Sequence, residues 1–151
     1  MGTTFQALQG VTFIVAAREL TWARGKPTPF GVNLSTIAPP AHAKVRAHDL
    51  DEDVFGDGSV RLLVAPGHTP GSRTMLAYLA KTGPVLITGD VYHTRENYRK
   101  DLVPLANTER ANSIASFGRP KGIVENTHAR VVVQHAPEDF AAMPTFPAFL
   151  D

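Results

Sequence analysis

The chain has 151 residues, enough for one domain of ordinary size, and 43% hydrophobic with 19% charged residues is the composition of a globular protein that can bury a core. Fifteen basic against fourteen acidic residues leave a net charge of +1; with no basic block interleaved with aromatics, nothing indicates a nucleic-acid partner. The absence of cysteine excludes disulfides and thiolate-held metal within these residues, no apolar run approaches the roughly 20 residues of a membrane span, and the opening MGTTFQALQG lacks the basic flank and apolar segment of a signal peptide, so the expected location is cytoplasmic.

Taken in order, Thr12 to Ala17 is rich in β-branched and aromatic residues and reads as a buried strand, and Glu19 to Arg24 adds a helical turn before Gly25. Residues 26–41, KPTPFGVNLSTIAPPA, carry too many prolines for a helix or central strand. Loops of that length tend to be lids or contact surfaces, and Phe30, Val32, Leu34 and Ile37 are expected to cover a substrate cleft or a neighbouring subunit. Lys44 to Ala47 and Val60 to Val64 flank DLDEDVFGDGS, where Asp57-Gly58 signals a tight turn between apolar runs. The acids Asp49, Asp51, Glu52 and Asp53 lack the alternation and terminal Glu of a calcium loop and read as a solvated turn.

Strands follow at Met75 to Leu79 and Val85 to Thr88, and the polar segment after Asp90 carries no clear element signal. Asn107 to Phe117 reads as a helix capped by Asn107 or Thr108, ended or kinked by Gly118 and Pro120. Arg130 to Gln134 is an apolar strand delivering His135, and Pro137 to Ala142 begins a short helix with proline at its first position. Strands separated by helices and loops predict an α/β or α+β layer arrangement with the chemistry at strand ends.

Two such ends stand out. His68 sits in a Pro/Gly turn after one apolar run and Gly89-Asp90 closes another; Gly67 and Gly71 allow a sharp bend that Pro66 and Pro70 fix. By themselves these are either a pair of metal ligands or a surface turn with an incidental His and Asp. PGHTPG at Pro66 to Gly71, TGDVYH at Thr88 to His93 and VVVQHAPEDF at Val131 to Phe140 together resemble the metallo-β-lactamase superfamily, in its lactonase-like branch, in the right order and across nearly the whole chain.

That resemblance implies an αββα sandwich of two similar halves, of which residues 1–151 resemble a single half-domain: one β-sheet with flanking helices. It implies that His68 binds a first metal, Asp90 bridges two metals, and His135 binds the second. The expected cofactor is zinc, two ions per active site, with another divalent metal as the alternative. Asp90 and His93 are the expected catalytic pair, His93 lying one turn from Asp90 as a supporting group or an added ligand, with a solvated loop residue as the plain alternative. Tyr92 and Tyr98 are read as packing residues in preference to substrate donors, and His42, His48 and His128 as surface residues. The implied reaction is hydrolysis of a lactone, ester or phosphoester by a metal-bound hydroxide, because such a centre lowers the pKa of water from 15.7 to about 7.

The sequence also departs from the family pattern. The H-x-H-x-D-H motif that supplies the remaining ligands is absent, and His42 and His48 are too far apart and too early in the chain to replace it. Ser72 stands where a second histidine often follows the turn, Ala136 where an aspartate often follows the last histidine, and Pro120 falls inside a usually uninterrupted helix. A bare sheet face would be costly: exposing 1,000 Å² of apolar surface forfeits on the order of 25 kcal/mol, beyond the net stability of a domain. The expectation is therefore a homodimer with an isologous interface of roughly 2,000 Å² and an active site assembled from both copies around a small-molecule substrate. The alternatives are a truncated, inactive relic, or a subunit module paired with a separate chain that carries H-x-H-x-D-H.

Overall fold

The computed structural model describes residues 10–34, 39 and 42–151, a mixed α/β chain that divides into two compact units, Met1–Asp49 and Leu50–Asp151. In the first unit, β1 (Thr12–Val15) pairs in parallel with β2 (Lys44–Ala47), Thr12 opposite Lys44 and Val15 opposite Ala47. A parallel pair needs a crossover, and α1 (Ala17–Ala23) begins it directly after β1. The Arg18 amide and guanidinium both engage the Asp49 carboxylate, at 2.9 and 3.2 Å. Phe30 and Leu34 are exposed; Ile37 lies outside the described residues.

The second unit is a five-stranded sheet in the order β3 (Glu52–Asp53), β4 (Val60–Val64), β5 (Arg73–Leu79), β6 (Gly83–Ile87), β7 (Arg130–Val132). All pairs are antiparallel except β6 with β7. The hairpin partner of β4 is thus the acidic pair Glu52–Asp53, whereas Lys44 to Ala47, expected to flank that turn as a strand, belongs to the other sheet. The reason is local: the Asp53 carboxylate accepts the Gly56 and Gly58 amides at 2.9 and 2.8 Å, so the acidic stretch closes on itself and leaves its own first residues as the strand.

Alternation along the strands separates two faces. Leu63, Leu76 and Leu86 point to one, where Ile123 and Val124 of α3 (Arg110–Thr127) pack on them together with Ala129. The register places Val60, Leu62, Met75, Ala77 and Ile87 on the other. A second cluster at the site end joins Ala65, Val91, Tyr92, Phe117, Val131, Val133 and Ala136.

Helix α3 runs past Gly118 and through Pro120, contrary to the expected end or kink there. An interior proline costs about 3 kcal/mol. Pro120 is fully buried and the turn beyond it carries Ile123 and Val124 onto the sheet, so apolar burial on both sides of the break sustains the helix. Its N-cap is Glu109, which accepts the Ala111 amide at 3.0 Å; neither Asn107 nor Thr108 serves.

One short helix, α2 (Arg95–Lys100), has no apolar period to reveal it and stands on a Thr94/Asn97 capping box. The final helix α4 (Pro137–Ala141) starts on proline as expected. Its buried Asp139 accepts Arg95 Nε and the Val133 amide, both at 2.6 Å, while Arg95 Nη2 donates to the Val131 carbonyl at 2.7 Å. At the opposite end of the sheet, the Asp151 carbonyl accepts the Lys81 amide at 2.8 Å and the Thr82 hydroxyl at 3.0 Å in the β5–β6 turn, and its carboxylate pairs with Lys81 Nζ.

Candidate metal centre

His68 is carried on the turn between β4 and β5, and the turn is seated on α3. Gly67 has φ +145, and a Cβ there would lie 2.1 Å from Ser113 Oγ and 2.6 Å from Ser113 backbone atoms, so only glycine lets the turn approach the helix. Ser116 Oγ donates to the Pro66 carbonyl at 2.7 Å. Ser72, at the position of the missing second histidine, closes the turn: its hydroxyl accepts the Thr69 amide at 2.9 Å. His68 Nδ1 lies 2.8 Å from the Ala106 carbonyl. A carbonyl only accepts, so Nδ1 carries the proton, and in the neutral ring Nε2 keeps a lone pair. That nitrogen lies 3.7 Å from Asp90 Oδ2.

Asp90 stands in the single 3-10 turn Gly89–Val91 that ends β6. Gly89 (φ +57) is required there, since a Cβ would meet the Arg73 carbonyl at 2.5 Å. The carboxylate is about one-third exposed, and its Oδ1 accepts His135 Nε2–H at 2.7 Å. His135 follows β7 and is 55% exposed.

His93 completes the group. Its ring centroid lies 5.2 Å from that of His68 and 5.3 Å from that of His135, edge-on to both. Its Nε2 is buried with no hydrogen-bond partner among the described residues. Burial, seconded by His68 and His135 and opposed by Asp90, pushes the His93 pKa down and favours the neutral ring.

The structure therefore brings together His68, Asp90, His93 and His135, all four residues singled out in the sequence. Tyr92 is not among them: fully buried, it stacks on Phe117 at 4.9 Å, and burial, aided by the Asp101 charge, drives its pKa upward. Tyr98 packs edge-on against Tyr92 at 5.2 Å. His128 is an exposed, left-handed C-cap of α3, and His42 and His48 belong to the other unit.

Three imidazoles and a carboxylate are a nitrogen and oxygen donor set suited to zinc. The His68 lone pair and the unpartnered buried Nε2 of His93 fit such a group. Asp90, in contrast, is engaged by His135, and among the described residues no three or more His, Asp or Glu are arranged as a finished metal shell. The donors are grouped around Asp90, with His135 hydrogen-bonded to its carboxylate. The groups behind His68, namely the Ala106 carbonyl and the Asn107–Ser113 hydrogen bond of 2.7 Å, had no signal in the sequence beyond Asn107 as a candidate cap.

The family model for the metallo-beta-lactamase superfamily matches residues 6–135. N-acyl homoserine lactonase AttM of Azorhizobium caulinodans is 30% identical over 105 residues, covering 68% of this chain and 40% of that protein. An N-acyl homoserine lactonase from a Bacillus species is 35% identical over 91 residues, covering 60% and 36%. A solved structure of a Bacillus thuringiensis AiiA mutant, with N-decanoyl-L-homoserine bound at the active site, superimposes with a TM-score of 0.82 at 26% identity, covering 96% of this chain and 55% of that one. An N-acyl homoserine lactone hydrolase with its product N-hexanoyl-L-homoserine at the catalytic metal centre gives 0.80 at 26%, covering 93% and 53%. The chain spans roughly two-fifths of the length of the curated relatives it matches and about half of the solved ones. With a family match over most of its residues and a shared fold, the chain belongs to the metallo-β-lactamase superfamily.

Proposed function

We propose that this chain provides half of the active site of a metal-dependent hydrolase acting on a lactone or ester, with His68, Asp90 and His135 as metal ligands and Asp90 and His93 as the catalytic pair. The carrying observation is the meeting of these four side chains at one end of the second unit's sheet. Relatives named as N-acyl homoserine lactonases support a lactone as the substrate class. A bound zinc pair would supply Lewis acidity and water ionised near neutral pH.

The chain's own residues account for the rest. His68 offers a preset lone pair. Asp90 has one oxygen toward each of His68 and His135 and would be a shared carboxylate ligand of the bound metal. His93, half-buried, with Nε2 shielded and the neutral ring favoured by burial, is the group that would hold or accept a proton at Nε2. The ligands that H-x-H-x-D-H supplies elsewhere come, in this proposal, from a second copy of the chain. The sheet face opposite α3, with Val60, Leu62, Met75 and Ile87 half-buried, is the surface such a copy would cover.

Mass measurement, metal analysis and turnover test this together. A dimer with about two zinc ions, hydrolysing lactones in preference to aryl esters and phosphotriesters and losing activity to chelator, is expected. His68→Ala, Asp90→Asn and His135→Ala each abolish turnover. A metal-free monomer without turnover supports the relic, and activity restored only by a separate chain carrying H-x-H-x-D-H supports the subunit module.

A further inference from the structure

His68 is held from behind by a short stretch of main chain, and one side chain fixes that stretch. Along residues 106–109, the Ala106 carbonyl accepts His68 Nδ1–H at 2.8 Å, the Thr108 amide donates to the His68 carbonyl at 3.0 Å, and the Glu109 amide donates to the Gly67 carbonyl at 2.9 Å. Asn107 interrupts this series. Its side chain turns to the first turn of α3, where Oδ1 accepts Ser113 Oγ–H at 2.7 Å. Ser113 is buried, and it is the residue against which Gly67 closes. Turn, stretch and helix therefore meet at the Asn107–Ser113 bond.

We infer that Asn107, acting through Ser113, is a positioning residue for His68: it holds the Ala106 carbonyl against Nδ1, selects the Nδ1–H tautomer and so keeps the Nε2 lone pair facing Asp90. Free neutral histidine prefers the Nε2–H form, which would point a proton where a cation must bind. A ligand histidine needs its other nitrogen occupied, and losing such a partner typically weakens metal affinity 10- to 100-fold. Here the partner is a backbone carbonyl that no substitution can remove, so the handle on it is the side chain next door. The significance of this brace rests on the proposed metal centre; the tautomer does not.

The test is long-range ¹H–¹⁵N NMR of the histidine rings in the metal-free chain at a pH above about 8, past the ordinary imidazole range, followed by zinc titration. The parent chain should show His68 as the Nδ1–H tautomer. Asn107→Ala should move it toward Nε2–H and weaken zinc binding about 10-fold, and Ser113→Ala should reproduce both effects. Asn107→Asp keeps an oxygen acceptor for Ser113 and should restore the tautomer, which a merely added charge would not set. Asn107 is only partly buried, so the alanine variant is expected to fold. An unchanged His68 tautomer in folded Asn107→Ala, or Asn107→Asp as defective as alanine, overturns the inference. If no variant and no parent binds zinc while the tautomer responds as stated, the hydrolase reading fails and the brace stands.

Discussion

His68 and His135 reach the same carboxylate by different means. The His68 turn is fastened by Ser116 to the Pro66 carbonyl, by Thr108 and Glu109 to its backbone, and by Ala106 to the ring itself. On the His135 side the fastening stops short: Asp139 takes the Val133 amide and the Ala136 amide returns to the Val133 carbonyl, but the ring beyond is more than half exposed, hydrogen-bonded to Asp90 and edge-on to His93. One ligand arm is preset and the other is adjustable. In the proposed centre, His68 would present its lone pair from a braced turn, and His135 would be held chiefly through Asp90.

Breaking the preset arm should cost most. Gly67→Ala adds backbone strain of about 1–3 kcal/mol at its positive φ and overpacking of about 1–3 kcal/mol against Ser113; urea unfolding should show a combined loss of about 2–6 kcal/mol. On the other arm, Asp139→Ala leaves Arg95 and the Val133 amide without their shared acceptor. Since the Arg95 side chain is 25% exposed, the loss should sit at about 3 kcal/mol, the low end for a broken buried pair. A deficit below 1 kcal/mol would show that water replaces the carboxylate and that the second arm is anchored elsewhere.

His135→Ala sharpens the comparison from the other side. It should change stability by less than about 0.5 kcal/mol, as exposed positions do, while removing one of the proposed metal ligands; a large destabilisation would mean that this arm is structural too. A further small effect, this one dependent on pH, concerns Asp51, which accepts the Val64 amide just before the His68 turn and pairs with Arg119 of α3. Hydrogen bonding from Arg119 is the main cause holding its pKa below the usual carboxylate value. The unfolded chain therefore binds the proton first as pH falls, so the contribution is complete above about pH 4 and disappears through more acid pH. Because both groups are more than one-third exposed, Arg119→Met should lower stability by under about 1 kcal/mol at neutral pH, and the gap from the parent should close on acidification below pH 4.

Much of the site was legible because its residues sit where local rules are strict. The Pro/Gly turn at Pro66 to Gly71 and the Gly89-Asp90 step require special backbone, and their neighbours read as strands from β-branched content alone. Helix α2 was not legible, being polar throughout, and α3 was cut short on paper because Pro120 is locally unfavourable; burial of Phe117, Pro120 and Ile123, a tertiary effect, overrides it. That Glu52–Asp53 is a strand beside β4 was not legible, because an acidic dipeptide carries no strand signal and the Asp53 side chain folds the turn only in the finished structure. The Ala106 carbonyl behind His68 could not have been read at all, since every residue carries that group and only the fold says which one lands on the ring.

The knot between Asp151 and the Lys81–Thr82 corner has a practical corollary. Strand β6 begins beside that corner and leads to the turn that carries Asp90, so Asp151 lies on the order of 15–20 Å from the imidazoles, by strand rise alone. A dye or reporter group carried at Asp151 would stand at the far end of the sheet from His68, Asp90, His93 and His135, leaving the approach to the proposed metal centre clear.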